Sequence, residues 1–277
     1  EGTTEPAGEP APGGFARLPG TAGVGPRPAP PLMGSFLLVH GACHGAWCWE
    51  RVIDCLRASG ARAEAIDLPG HGSRRLPAGE GKLADSVAAI REAVALLPEP
   101  PVLVGHSWGG FPVTMAAAED PAAVAGLAYV AAYVPVEGQS FAEARSPGVS
   151  REREGAIDRR EEGLVIRPDR ARALLFHDVP EPWATEAIRR LEPEPLGPQR
   201  EKVHLAPGPW RELPKRYVRT EDDRMIPPAW QDRMAERAAP VTVVSLPAGH
   251  SPFLSRPAEL ARALLDGCWR SPSRGGD

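Results

Sequence analysis

A chain of 277 residues with 42% hydrophobic content can bury one sizeable core, and α/β folds of this length often form a single domain. Its formal net charge of −4 argues against a nucleic-acid partner. The pairs Arg159-Arg160 and Arg189-Arg190 are interleaved with Glu and Asp and read as solvated helix faces. No apolar run approaches the roughly 20 residues that a membrane span needs. Cys43, Cys48, Cys55 and Cys268 form neither a metal-ligand pattern nor a disulfide framework, so they read as reduced packing residues of a cytoplasmic protein.

Residues 1–35 are rich in Pro, Gly and Ala, with almost no apolar periodicity. Such a segment cannot bury enough surface to offset its ordering entropy, and disorder is expected. It also lacks the basic stretch and apolar run of a secretory signal. From residue 36 onward, strands are expected at 36–39, 62–66, 102–105, 127–133, 216–219 and 241–246. Amphipathic stretches separate them. One is 47–59, closed by Gly60 at a C′ position; another is 83–97, with Val87, Ile90, Val94 and Leu97 on one face. The alternation predicts an α/β fold: a parallel sheet covered by helices on both faces, with functional groups at the C-terminal ends of its strands.

Residues 136–213 break this alternation. Only Leu164-Val165-Ile166 resembles a strand, and helical pieces are expected near 169–176 and 182–191. Lying between two strands of the sheet, this insertion is expected to cover the strand ends as a mostly helical cap. Phe141, Phe176, Trp183 and Trp210 are its candidate substrate-binding residues. The domain is expected to span 36–270, followed by a flexible tail at 271–277.

The chemistry concentrates in Gly105-His106-Ser107-Trp108-Gly109, which follows the apolar run Val102-Leu103-Val104 and precedes a helical pattern over 111–118. A serine at such a strand–turn–helix junction sits in a strained conformation with its hydroxyl above the sheet, and the flanking glycines remove Cβ atoms that would clash. The hydroxyl needs a base, and the base needs an orienting acid. His250 lies on a loop after the strand at 241–246, just after Gly249. Asp223 follows the strand at 216–219, four residues before Pro227, and is chosen over Asp222 and Glu137. The order Ser107, Asp223, His250 is the chain order of this kind of site. The oxyanion hole needs two backbone N–H donors: Trp108, after the nucleophile, and Ala42, in the loop after the first strand. His40 and His44 read as hydrogen-bonding supports of that loop. His106 reads as structural, and His71 as structural or at the pocket rim, with no acid partner in view.

These residues resemble the α/β-hydrolase superfamily: His40-Gly41-Ala42-Cys43-His44-Gly45-Ala46-Trp47, Asp67-Leu68-Pro69-Gly70-His71-Gly72, the motif around Ser107, Asp223 and His250. Within it the chain is most similar to the branch of plant methylesterases, α/β-hydrolase-type hydroxynitrile lyases and their bacterial relatives, over about residues 36–265. The resemblance implies a parallel core of about six strands, Ser107 as nucleophile, His250 as base, Asp223 as acid, and Ala42 and Trp108 as oxyanion donors. No metal or organic cofactor is implied. The cyanide-eliminating members carry Thr at the position of Gly41 and Lys directly after the catalytic His, where this chain has Ser251; both departures favour an esterase. Trp108 replaces a smaller residue, so its side chain either packs below the turn or narrows the pocket. The expectation is a serine carboxylic-ester hydrolase acting on a small apolar or aromatic ester, with no nucleic-acid or membrane partner. A lyase-like enzyme on the same triad and a non-catalytic ligand-binding protein are the alternatives.

Overall fold

The computed structural model describes residues 2, 34–77, 80–145 and 153–270. The segment 1–35 and the tail 271–277 lie outside the described residues, apart from Gly2, Gly34 and Ser35, the last of which already belongs to a strand. The strands are β1 (Ser35–Val39), β2 (Arg62–Ile66), β3 (Val102–His106), β4 (Gly126–Val130), β5 (Ile157–Arg159), β6 (Leu164–Ile166), β7 (Lys215–Thr220) and β8 (Thr242–Leu246). Six of them form one sheet in the order β2-β1-β3-β4-β7-β8, every neighbouring pair parallel.

Side chains alternate between the two faces of a strand, and here both faces are covered. Phe36, Leu38, Val102 and Val104 point to one core, closed by Val52 and Leu56 of α1 (Glu50–Ala58) and by Leu260 and Leu264 at the chain's C-terminal helix. Leu37, Val39, Leu103 and Leu127 point to the other. It is closed by Val87 and Ile90 of α2 (Leu83–Ala95), Val113 and Ala117 of α3 (Gly110–Glu119), and Met234 further along. Each such side chain contributes roughly 1.5–3 kcal/mol when fully buried, so β1, β3 and β4, buried throughout, anchor the sheet. Gly60 takes φ +84 just past α1, the left-handed turn expected at C′.

β4 is shorter than the expected 127–133. Ala131 turns away at φ +43, and the Tyr133 N–H then donates to the Ser107 carbonyl at 3.0 Å instead of continuing the ladder. The insertion before β7 carries α4 (Phe141–Ala144), the antiparallel β5–β6 pair, α5 (Pro168–Leu175), α6 (Trp183–Arg189) and α7 (Leu196–Arg200). After β7 come α8 (Pro228–Ala238), β8, α9 (Pro252–Ser255) and α10 (Pro257–Leu265). The chain leaves β1 toward β2 on one side and later enters β3 on the other. The ends of β1 and β3 therefore flank the crevice where a parallel sheet binds ligands.

Candidate active site

β3 runs directly into the tight turn Ser107–Gly109 and then α3. Ser107 holds φ +49, a conformation that a non-glycine residue keeps only when its surroundings enforce it. The enforcement is visible at Gly109, where an added Cβ would stand 2.6 Å from the His40 carbonyl oxygen. The turn is pressed against the end of β1, and only glycine permits that approach. The Trp108 side chain is buried, 5.2 Å from the Phe141 ring and 5.8 Å from Phe111, so it packs within the core on the α3 side. Its N–H lies in the opening turn of a helix, where such groups lack acceptors within the helix.

Asp223 follows β7, and five donors converge on its buried carboxylate. Oδ1 accepts the N–H groups of Met225 and Ile226, each at 2.8 Å. Oδ2 accepts Thr220 Oγ1–H at 3.0 Å, Gln231 Nε2–H at 3.1 Å and His250 Nδ1–H at 2.8 Å. That last bond fixes the His250 ring and leaves Nε2 as the basic nitrogen of its neutral form. Asp222 instead meets His177 at 3.0 Å with its carboxylate 68% exposed, and Glu137 faces His204 and the Leu205 N–H. Of the three acids considered, Asp223 is the one bonded to His250. Ser107, His250 and Ala42 line a single cavity.

Three further histidines act through the backbone. His40 donates from Nδ1 to the Gly41 carbonyl at 2.9 Å and accepts the Leu68 N–H at Nε2 at 3.0 Å. His44 donates from Nδ1 to the Ala42 carbonyl at 2.8 Å, and His106 from Nε2 to the His250 carbonyl at 2.9 Å. Burial disfavours the charged imidazole: it lowers the His40 pKa to about 3, that of His44 to about 4, and that of His106 well below its ordinary value. All three are neutral donors. A trans peptide points its N–H opposite to its C=O, so the hold on the Gly41 carbonyl also aims the Ala42 N–H. The N–H groups that follow it have acceptors: Cys43 donates to Glu194 Oε2 at 3.0 Å, and His44 to the Gly41 carbonyl at 3.3 Å.

Of the four aromatic residues expected to bind substrate, Phe141 lies on the cavity wall. Phe176 is wholly buried in the core, its ring 5.9 Å from His44. Trp183 is 46% exposed beneath the Arg51 guanidinium at 4.8 Å. Trp210 belongs to the core with α3 and α8, its Nε1–H on the Ala206 carbonyl at 3.0 Å. The rest of the wall joins the apolar Leu164, Ile166, Leu175 and Met225, with Tyr133, to the polar Arg145, Arg153 and Gln199. Cys43 also reaches the cavity, but burial raises its thiol pKa and removes it as a nucleophile. Sequence reasoning passed over Glu194, a buried acid on the wall whose Oε2 stands 3.1 Å from His71 Nε2. The signal available was His71 itself, a histidine in search of an acid. Among the described residues no cluster of three or more His, Cys, Asp or Glu is arranged to hold a metal ion. No helix among them is long and apolar enough to cross a membrane.

Residues 36–263 match the model of the alpha/beta hydrolase family. A pyrethroid hydrolase of Sphingobium wenxiniae is 32% identical over 253 residues, 83% of this chain and 86% of that protein. Methylesterase 17 of Arabidopsis thaliana is 28% identical over 83% of this chain and 90% of its own length. The crystal structure of a pyrethroid hydrolase from Sphingobium faniae superposes with a TM-score of 0.72 at 28% identity, covering 84% of this chain and 96% of that one. With its six-stranded parallel sheet and these relatives, the chain belongs to the alpha/beta hydrolase family, as an enzyme of the carboxylesterase type.

Proposed function

We propose that the protein hydrolyses small carboxylic esters with an apolar or aromatic part, through Ser107, His250 and Asp223. The observation that carries this reading is the His250 ring, bonded to Asp223 on one side and opening on the other into the cavity that Ser107 lines. Ser107 Oγ attacks the ester carbonyl while His250 Nε2 takes its proton, and Asp223 stabilises the imidazolium that forms. The carbonyl oxygen gains the negative charge and is met by the N–H groups of Ala42 and Trp108. The intermediate collapses as His250 returns the proton to the departing alkoxide. Water, activated by His250, then attacks the acyl-enzyme and releases the acid.

The apolar wall of Tyr133, Phe141, Leu164 and Leu175 supports an apolar or aromatic ester, and the insertion that supplies most of it acts as the cap. The names of the relatives, methylesterase and pyrethroid hydrolase, support ester substrates as well. Gly41 disfavours the cyanide-eliminating alternative. A Cβ there would lie 2.6 Å from His106 Nδ1 and 2.9 Å from Ser107 Cβ, so the threonine of those enzymes has no room. The non-catalytic alternative is disfavoured by the Asp223–His250 pair, which shares its cavity with Ser107.

The test is a p-nitrophenyl ester mixed rapidly with excess enzyme-equivalent substrate, alongside labelling by a fluorophosphonate. A burst matching the enzyme concentration and labelling at Ser107 are expected, with turnover falling about 10³-fold or more in Ser107→Ala. Undiminished turnover in that variant sinks the proposal.

A further inference from the structure

The strip 192–194 of the insertion grips the loop after β1. The Glu192 N–H donates to the Cys43 carbonyl at 3.0 Å, and Glu194 Oε2 accepts the Cys43 N–H at 3.0 Å. Cys43 stands at φ +63, a conformation that needs such holding in a residue with a side chain. The peptide joining Ala42 to Cys43 is thereby pinned on both edges, its carbonyl by His44 Nδ1–H at 2.8 Å and its N–H by Glu194. Leu164 and Glu194 exchange backbone hydrogen bonds at 2.8 and 2.9 Å, which seats the strip. The Glu192 carboxylate takes the Gly72 N–H at 2.8 Å, drawing the loop after β2 into the same assembly.

Glu194 and His71 are among the most buried charges of the described residues, their side chains 2% and 1% exposed. Burial alone would raise the carboxyl pKa and lower that of the imidazole. The opposite charge 3.1 Å away reverses both, keeping Glu194 below and His71 above their ordinary values. Each group thus favours the charged form of the other. This matters because Glu194 lines the cavity in which an ester oxygen would become negative. An unbalanced carboxylate there would oppose the charge that catalysis must stabilise.

We propose that Glu194, balanced by His71, is a positioning residue for the oxyanion hole: it takes the Cys43 N–H, fixes the adjoining peptide, and leaves the Ala42 N–H as the loop's donor to the ester oxygen. This rests on the esterase reading above. The insertion would then do more than shape the pocket, because the hole would be complete only when the strip 192–194 is seated on the loop.

Two variants separate the roles of the side chain. Glu194→Gln keeps an acceptor for the Cys43 N–H, whereas Glu194→Met matches its length without one. Each is measured for kcat and KM on a p-nitrophenyl ester, and for inhibition by an aryl trifluoromethyl ketone and the matching methyl ketone. The fluorinated ketone forms an oxyanion adduct with serine; the methyl ketone reports ordinary pocket binding. Glu194→Gln is expected to keep kcat within about threefold. Glu194→Met should lose on the order of 10²-fold in kcat with KM nearly unchanged, and weaken the fluorinated ketone at least about tenfold while sparing the methyl ketone. The inference is overturned if Glu194→Met binds both ketones like the wild type, or if Glu194→Gln falls as far as Glu194→Met. Should Glu194→Met fail to fold, His71→Gln tests the charge balance in its place. Its kcat is expected to drop about tenfold and to recover when combined with Glu194→Gln; simple additivity of the two overturns the inference. Fluorophosphonate labelling of the wild type is run first. Its failure removes the esterase reading, whereas a labelled wild type with an indifferent Glu194→Met removes only the role of Glu194.

Discussion

The imidazole of His106 donates to the backbone carbonyl of His250 at 2.9 Å, with the two rings 4.7 Å apart. In the sheet, β4 and β7 separate the strands that carry these residues. Three strand spacings amount to roughly 14 Å, so the loop after β8 must reach back across two strands, and His106 tethers its tip. The residue before Ser107 thus fixes the backbone at His250.

Replacing that tether should separate alignment from binding. His106→Phe keeps the ring and removes the donor, leaving a buried carbonyl unpaired at a cost of about 1–3 kcal/mol. Turnover should fall about tenfold or more with KM nearly unchanged, since a small displacement of a catalytic group is costly. Steady-state kinetics beside a urea titration provides the check, and an unchanged kcat would show that the tether is unnecessary.

Gly41→Thr introduces the Cβ that would stand 2.6 Å from His106 Nδ1. Overpacking of this kind costs about 1–3 kcal/mol. The variant should melt at a lower temperature, lose ester turnover and gain no mandelonitrile cleavage. A stable variant with wild-type turnover would mean that the loop after β1 has slack which these contacts do not reveal.

The aromatic residues of the insertion should divide by position. Phe141 lies on the cavity wall and touches the rings of Trp108, Phe111 and Tyr133. Phe141→Ala is expected to cost about 3–5 kcal/mol of stability and to change the ranking of acyl groups in an ester panel. Trp183→Ala, at a half-exposed site over Arg51, should leave that ranking intact. Equal effects of the two would contradict the assignment of the wall.

Acid should destabilise the fold before it titrates the carboxylates. His40 and His44 are buried uncharged, with folded pKa values of about 3 and about 4 against 6.5 for an unperturbed imidazole. Below pH 6.5 the unfolded chain binds protons that the native state refuses, so stability falls with pH, by about 2 kcal/mol for each of the two at pH 5. His106 adds to the loss with the same sign. His71 opposes it: its folded pKa is raised, so its contribution is full in acid and is lost as pH rises through that value. Glu194, with its pKa lowered, loses its contribution only as pH falls through its folded value, below the normal carboxylate range. Three groups outweigh one, and the urea midpoint should drop between pH 7 and pH 5. A midpoint that rises over that interval would contradict the neutral state of these histidines.

The central strands and the turn at Ser107 were legible in the sequence because their signals are local: apolar runs, a glycine on each side of a serine, and a helical period after it. His40 and His44 were legible as supports of their loop for the same reason, since each bonds a carbonyl one or two residues away. The wall of the cavity was not. Phe176, Trp183 and Trp210 share aromatic character with Phe141, and only tertiary packing decides which of them faces the cavity. Ile157–Arg159 has too few residues and too little alternation to announce a strand; it pairs because the β6 partner lies opposite. Glu194, between Pro193 and Pro195, looks like any acid in a polar loop. Its value depends on His71, 123 residues earlier, and on Cys43, 151 residues earlier.

The strand order places Ser107 and Ala42 on one side of the sheet, after β3 and β1, and Asp223 with His250 on the other, after β7 and β8. The bond from His106 to the His250 carbonyl spans those halves, so a loss of register across β4 and β7 would break that bond together with the site.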